Sequence, residues 1–158
     1  MRRVLKLKAA AAGASACLGA AYADSLPAMN PFNKYADPDS VVAAVQTAFK
    51  ADSGKAVRLN VYDSKDAFLE MAAVKHRGEL DDTGLALVRF RGLEPGEYAF
   101  AAYLDENGDG KLNRGPLGRP KEPFAFSNGI IPKLRRPKFD ETKVAVEPGS
   151  VVVITLEE

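Results

Sequence analysis

Hydrophobic and polar residues alternate along several short segments of this chain, a pattern typical of half-buried β-strands. Val57, Leu59 and Val61, for example, are separated by polar or amphipathic side chains. Segment 97–104 differs, because its small and aromatic residues leave no charged face, and this indicates a central strand. The clearest predicted strands, separated by Gly-rich and Pro-rich turns, are 57–62, 88–91, 97–104, 142–146 and 150–156.

Two segments are less regular. Residues 40–48 fit either a short helix or a first strand, and the turn at 50–55 favours a hairpin with the strand that follows. Residues 63–66 have the composition of a helix cap, and Ala67-Phe68-Leu69 after them is predicted to form a single helical turn. Taken together, these elements predict an all-β fold, an antiparallel β-sandwich of about seven strands with one short helical turn.

The N-terminus has the pattern of a cleavable signal peptide over residues 1–23. A basic start is followed by an Ala-rich apolar stretch, 9–20, and by Ala21-Tyr22-Ala23 as a cleavage site. The apolar stretch is too short and too weakly hydrophobic for a transmembrane anchor. Lipidation of Cys17 is disfavoured, since Ala14 replaces the larger aliphatic residue usual in lipoprotein signals. We expect a periplasmic or secreted protein, with an N-terminal arm at 24–39 and one domain at 40–158.

Removal of residues 1–23 would change the charge and the cysteine content of the chain. This segment contains four of the 22 basic residues, so 18 remain against 21 acidic ones, a formal net charge of −3. That balance argues against a nucleic-acid partner. It also contains the one cysteine, which excludes disulfides and thiolate metal sites from the mature chain.

The segment after the predicted central strand resembles a calcium-binding loop. Oxygen ligands stand at relative positions 1, 3, 5, 7 and 9, and Gly110 at position 6 permits the sharp turn. The candidate metal ligands are Asp105, Asn107, Asp109, Asn113 and the carbonyl of Lys111. Position 12 is Pro116 instead of a bidentate carboxylate, so calcium would bind only at about 10⁻⁴ to 10⁻³ M. The alternative is a turn whose Asx side chains bond their own backbone.

The aperiodic stretch 105–136 contains a second candidate, a ligand-facing aromatic surface. Its residues are Arg119, Glu122, Phe124, Phe126 and Asn128. The alternative is a loop held over the end of the sandwich by core phenylalanines. The basic cluster at 135–138 is interpreted as a solvated face.

Catalytic candidates are few, and no catalytic residue is predicted. The single histidine, His76, stands between Lys75 and Arg77 and has no triad partner nearby in sequence. Ser127 lies outside any nucleophile-elbow motif.

Several ordered blocks carry a family resemblance across about 41–156. They are Leu93-x-Pro95-Gly96-x-Tyr98, Tyr103-x-Asp105-Glu106-Asn107-Gly108-Asp109-Gly110, Gly118-x-Pro120-x-Glu122-Pro123, Phe126-Ser127-Asn128 and Pro137-x-Phe139-Asp140. The chain thereby resembles the uncharacterised bacterial exported family catalogued as domain of unknown function twenty-one forty-one. The resemblance implies a transthyretin-like or immunoglobulin-like sandwich and implies no assigned activity.

The leading functional hypothesis is a non-enzymatic binding or structural module of the cell envelope, whose partner is an envelope protein or a glycan. Calcium is the one cofactor considered. The alternatives are a small hydrolase-like enzyme that uses His76, and a carbohydrate-binding sandwich that uses Tyr98, Tyr103, Phe124 or Phe126.

Overall fold

Two β-sheets pack face to face in the computed structural model, which describes residues 30–47, 53–132 and 135–157. The predictions for residues 1–23, including the cleavage site and Cys17, lie outside these residues. The described part contains eight strands. They are β1 Ser40–Thr47, β2 Ala56–Tyr62, β3 Val74–Glu79, β4 Leu85–Arg91, β5 Gly96–Asp105, β6 Phe124–Phe126, β7 Lys143–Val146 and β8 Val151–Leu156.

The smaller sheet has the strand order β4-β1-β8 and the larger one β3-β2-β5-β6, with β7 also paired to β5. Strand β5 is therefore central, as predicted from its lack of a charged face. It pairs with β2 along one edge, and with both β6 and β7 along the other. All strand pairs are antiparallel except β1 with β8, which run parallel.

The main core lies between the sheets and is built by alternate residues of the facing strands. Val57, Leu59 and Val61 enter it from β2, and Phe100, Ala102 and Leu104 enter it from β5. The smaller sheet contributes Val41, Ala43, Val45, Val88, Phe90, Ile154 and Leu156. The period-two pattern of the sequence corresponds to this burial, because successive side chains of a strand point to opposite faces. The all-β sandwich prediction is confirmed.

The structure settles the ambiguous segment 40–48 as strand β1 over 40–47. The predicted β1–β2 hairpin is wrong, because β1 pairs with β4 and β8 while β2 belongs to the other sheet. Strand β3 was not predicted. Its residues are mostly polar and exposed, as expected for an edge strand, so the hydrophobic pattern does not mark it.

The helical turn predicted at 67–69 is a series of hydrogen-bonded turns, in which the Met71 N–H donates to the Ala67 carbonyl. The short helix lies elsewhere, at Phe139–Thr142, and is called α1. Three 3₁₀ turns complete the described elements, at Pro31–Tyr35, Pro116–Gly118 and Ser127–Gly129. The last two belong to the long excursion between β5 and β7, which also contains β6.

Candidate functional site

The outer face of the larger sheet carries aromatic and polar side chains in place of the aliphatic residues of the core. Strand register aligns them in two rows, one through Arg58, Tyr103 and Phe124 and the other through Asn60, Ala101 and Phe126. These residues alternate with core residues along β2, β5 and β6. The outer face of this sheet is therefore partly apolar. An apolar face of this kind is expected to be covered by other parts of the chain or to bind a ligand.

One end of this face is covered by α1 and by the turns after β2. Phe68 from the turns packs between three other rings, with ring centroids 5.3 Å from Tyr62, 5.9 Å from Phe139 and 6.1 Å from Phe126. Tyr62, Phe126 and Phe139 are all buried. We call these four residues the aromatic cluster. Tyr62, Phe68 and Phe139 belong to a second, smaller core outside the sheet, and Phe126 packs on it through Phe68.

Ser127 and Asn128 attach α1 and β7 to this face. The buried Ser127 hydroxyl accepts a hydrogen bond from the Phe100 N–H (3.0 Å) and donates to the Thr142 carbonyl. Asn128 adopts a left-handed backbone (φ 62°) and donates from Nδ2 to the Lys143 carbonyl (2.9 Å). Asn128, predicted on a ligand surface, thus binds backbone of its own chain.

The other end of the face is held by an ion pair whose carboxylate is buried. Asp105, whose side chain is fully buried, accepts from Arg58 Nε at 2.9 Å and from the Gly110 N–H at 3.0 Å. Burial by itself raises the pKa of Asp105, but the guanidinium and the N–H groups of the loop outweigh it and hold the pKa below its usual value. The Tyr103 hydroxyl donates to the Gly110 carbonyl at 2.8 Å. These contacts fix the start of the excursion against the sheet.

The predicted calcium ligands lie together, and hydrogen bonds within the loop engage them. Asn107 Oδ1 accepts from the Asp109 N–H, and Asp109 Oδ1 accepts from the Lys111 N–H. Asn113 Nδ2 donates to Asp109 Oδ2 at 2.8 Å. Asp105 Oδ1 is buried and has no hydrogen-bond partner among the described residues. Those residues also contain no group of three or more His, Cys, Asp or Glu side chains arranged to hold a metal ion. Calcium binding stays a prediction.

Glu122 braces the same loop from inside. It is buried, and its two carboxylate oxygens accept from the Glu106 N–H (3.1 Å) and the Asn113 N–H (2.8 Å). Glu122 was predicted on the ligand surface. Its carboxylate instead replaces backbone partners that the irregular loop cannot supply.

Between the aromatic cluster and the braced loop lies a groove. Its floor is a hollow of about 220 Å³, whose lining includes Asn60, Leu69, Ala101, Tyr103, Leu112 and Phe124. A second hollow of about 450 Å³ adjoins it and shares Leu112, Arg114, Phe124 and Arg136. Leu69 has a left-handed backbone (φ 65°), a strained conformation for a branched side chain of the kind that often marks functional sites.

The groove has a positive rim. Arg114, Arg119, Arg135 and Arg136 line the second hollow, and no acidic residue lines either hollow among the described residues. Arg135 is paired with Glu141 through two hydrogen bonds, which lower the pKa of Glu141 to about 2. Arg136 lies 3.7 Å from Glu70, with both side chains about three-quarters exposed.

Of the predicted ligand surface, the structure places only Arg119 and Phe124 at the groove, since Phe126 belongs to the aromatic cluster. Sequence reasoning missed Leu112, Arg114 and Arg136. The arginines of the basic cluster at 135–138, interpreted as a solvated face, are exposed, and both also belong to the rim. The signal that marked part of the floor was the alternation of β2 and β5, whose non-core residues include Asn60 and Tyr103.

His76 lies apart from this groove. It pairs in register with the core residue Leu59, and its ring contacts Phe90 at a centroid distance of 5.0 Å. It therefore lies at the edge strand on the opposite face of the sheet from the groove.

The described part of the chain has no helix with the length and hydrophobicity that a membrane crossing requires.

Comparison with known proteins shows the family to which the chain belongs. No curated protein and no solved structure matches the chain significantly. The sequence profile of DUF2141, described as an uncharacterized protein conserved in bacteria, matches residues 46–154, which run from the end of β1 into β8. The chain therefore belongs to the DUF2141 family.

Proposed function

We propose that this chain is an exported, non-enzymatic binding module of the bacterial cell envelope, and that the groove on the outer face of the larger sheet is its ligand site. One observation carries the proposal. An apolar and aromatic floor lies open beside arginines, between two parts of the same face that packed elements cover. Concave sites with apolar walls and a few polar groups are the usual form of small-molecule sites.

The surroundings of the groove support a preformed site. The pair of Arg58 with the buried Asp105, together with Glu122, holds the loop wall, while the aromatic cluster holds the opposite wall. A ligand would then bind without ordering either wall, which lowers the entropic cost of binding. Export is supported by the signal-like pattern of residues 1–23.

A glycan is the second candidate ligand, because Tyr103 and Phe124 both line the floor. Aromatic rings offer apolar surface against which a sugar ring can pack. Nothing comparable favours the hydrolase alternative, since His76 lies on the opposite face of the sheet and against Phe90.

The test is an NMR titration of ¹⁵N-labelled protein recovered after export, whose N-terminal sequence is read first and should begin at Asp24. The protein is titrated separately with 1-naphthoate and with N-acetylglucosamine oligomers. We expect at least one of them to shift the amides of Ala101, Tyr103, Leu112 and Phe124, and Phe124→Ala to abolish the shifts.

The matched control is Leu87→Ala, a partly buried residue on the outer face of the smaller sheet, which should leave the shifts unchanged. Amide shifts confined to the smaller sheet, or no shifts with either ligand, would refute the groove as the ligand site. Protein that stays uncleaved in the cytoplasm would refute export.

A further inference from the structure

We infer that the groove binds a small anionic ligand with a flat apolar body, the body in the aromatic hollow and the carboxylate or phosphate between Arg114 and Arg119. This inference rests on the proposed function and names the ligand class of the same site. It follows from how charge is distributed over the two adjoining hollows.

The two hollows differ in chemistry. The smaller is lined mainly by rings and aliphatic residues of β2, β5 and β6, whereas the larger is lined by four arginines together with prolines of the excursion. They are continuous, since Leu112, Arg114, Phe124 and Arg136 line both. A ligand that spans them must therefore be apolar at one end and polar at the other.

The arginines are not equally available. Arg135 is already neutralised by Glu141, and Arg136 lies near Glu70. Arg114 donates only to the Gly118 carbonyl, and neither it nor Arg119 forms an ion pair within the described residues. Both are exposed side chains on the same excursion. They are the positive charges that a ligand can engage without breaking an existing pair.

Guanidinium groups select the sign and the shape of the ligand. A planar guanidinium matches a carboxylate or a phosphate through paired hydrogen bonds, and such charge-assisted bonds are stronger than neutral ones. No acidic residue belongs to the described lining, and the neighbouring carboxylates of Glu70 and Glu141 are paired with Arg136 and Arg135. A body of one or two fused rings matches the size of the aromatic hollow, about 220 Å³.

The experiment compares four probes with one ring system by isothermal titration calorimetry: 1-naphthyl phosphate, 1-naphthoate, neutral 1-naphthol and cationic 1-naphthylmethylamine. In 50 mM salt we expect both anions to bind about tenfold more tightly than 1-naphthol, and the cation more weakly than 1-naphthol. Raising the salt to 300 mM should weaken the anions selectively, since ions screen exposed charges. Tighter binding of the phosphate than the carboxylate, or the reverse, identifies the headgroup, and either result supports the inference.

Arg114→Gln combined with Arg119→Gln should reduce anion affinity about tenfold and weaken 1-naphthol by much less, about twofold at most, because Arg114 also lines the aromatic hollow. Both residues are exposed, so the variant should fold, and its thermal midpoint verifies this. Arg91→Gln is the matched control, an exposed arginine at the end of β4 in the smaller sheet, and should change no affinity.

Equal affinities for 1-naphthol and the two anions, or a double variant that binds anions as tightly as the parent, would overturn the inference and leave the groove as a ligand site. Failure of the proposed function looks different. In that case neither 1-naphthol nor any other probe binds, and no groove amide shifts with either ligand in the NMR titration.

Discussion

The two ends of one sheet face are stabilised by opposite kinds of chemistry. At one end, the aromatic cluster packs four rings from β2, β6, α1 and the turns after β2 into a second core. At the other, the buried Asp105 carboxylate pairs with Arg58, and backbone N–H groups of the 105–113 loop bond side-chain oxygens.

The difference explains why a groove lies between them. Ring packing is close and excludes water, so the cluster end is closed. A loop held by hydrogen bonds needs no apolar contact with the sheet beyond its anchors, so it stands over the face and leaves Ala101 and Phe124 partly exposed along one side. The face is thus open between the two ends because packed rings close one end, while a loop held by hydrogen bonds covers the other.

The largest effect should follow from breaking the aromatic end. Phe126→Ala removes a ring that is 6% exposed and packs on Phe68. We expect it to lower the free energy of unfolding by about 3 kcal/mol through lost burial and an unfilled cavity. Urea denaturation measures the change.

Phe124→Ala is the matched control on the same strand. Phe124 is only partly buried, so the loss should be about 1 kcal/mol. Equal losses for the two variants would contradict the interpretation of the aromatic cluster as a second core.

At the charged end, removing the cation of the ion pair should destabilise the fold more than neutralising the carboxylate. Arg58→Met leaves the Asp105 carboxylate buried without its cation, and we expect a loss of about 2–3 kcal/mol at pH 7. Asp105→Asn keeps a neutral acceptor and leaves the partly exposed Arg58 to water, so it should cost only about 1–2 kcal/mol. A larger loss for Asp105→Asn would refute the burial argument.

The same pair predicts a pH dependence. Because the folded pKa of Asp105 is lowered, its contribution to stability is present above the unfolded pKa of about 3.9 and is lost as the pH falls through the folded value. The deficit of Arg58→Met relative to the parent should therefore be complete at pH 7 and shrink on acidification. Urea midpoints from pH 7 to pH 3 measure it. Arg89→Met, which removes a half-exposed arginine 3.7 Å from Asp37, is the control and should change stability little.

The smallest effect concerns calcium. A site with a dissociation constant of about 1 mM in 5 mM calcium would stabilise the fold by about 1 kcal/mol, or raise the thermal midpoint by about 3 °C. Competition from Arg58 for Asp105 keeps the effect small. Asp109→Asn should abolish the rise, and magnesium at the same concentration is the control. An unchanged midpoint in calcium would leave the loop as a turn that stabilises itself.

Much of the fold was predictable because strand periodicity is a local property. The alternation in 57–62 and 150–156, and the lack of a charged face in segment 97–104, marked β2, β8 and the central β5. Pairing was less predictable. The turn at 50–55 suggested a hairpin, yet β1 lies in the other sheet beside β4 and β8, since partner choice depends on distant strands.

The candidate site was predictable only in part. Arg119 and Phe124 were recognised from the unusual composition of the excursion, but Glu122 and Asn128, chosen on the same grounds, bond backbone groups of their own chain. An acidic or amide side chain in a loop has the same local signature whether it faces a ligand or braces the backbone. Only the folded position distinguishes the two.

The sequence by itself determined the sandwich class, the core faces of the strands and membership of the DUF2141 family, because each depends on the order of residues along the chain. Only the tertiary structure decided that Tyr103 of β5, Arg114 of the excursion and Arg136 before α1 surround one groove. These residues are up to 33 positions apart. No local pattern encodes their proximity, which arises when an ion pair with a buried carboxylate and a cluster of rings fix two covering segments on the same sheet.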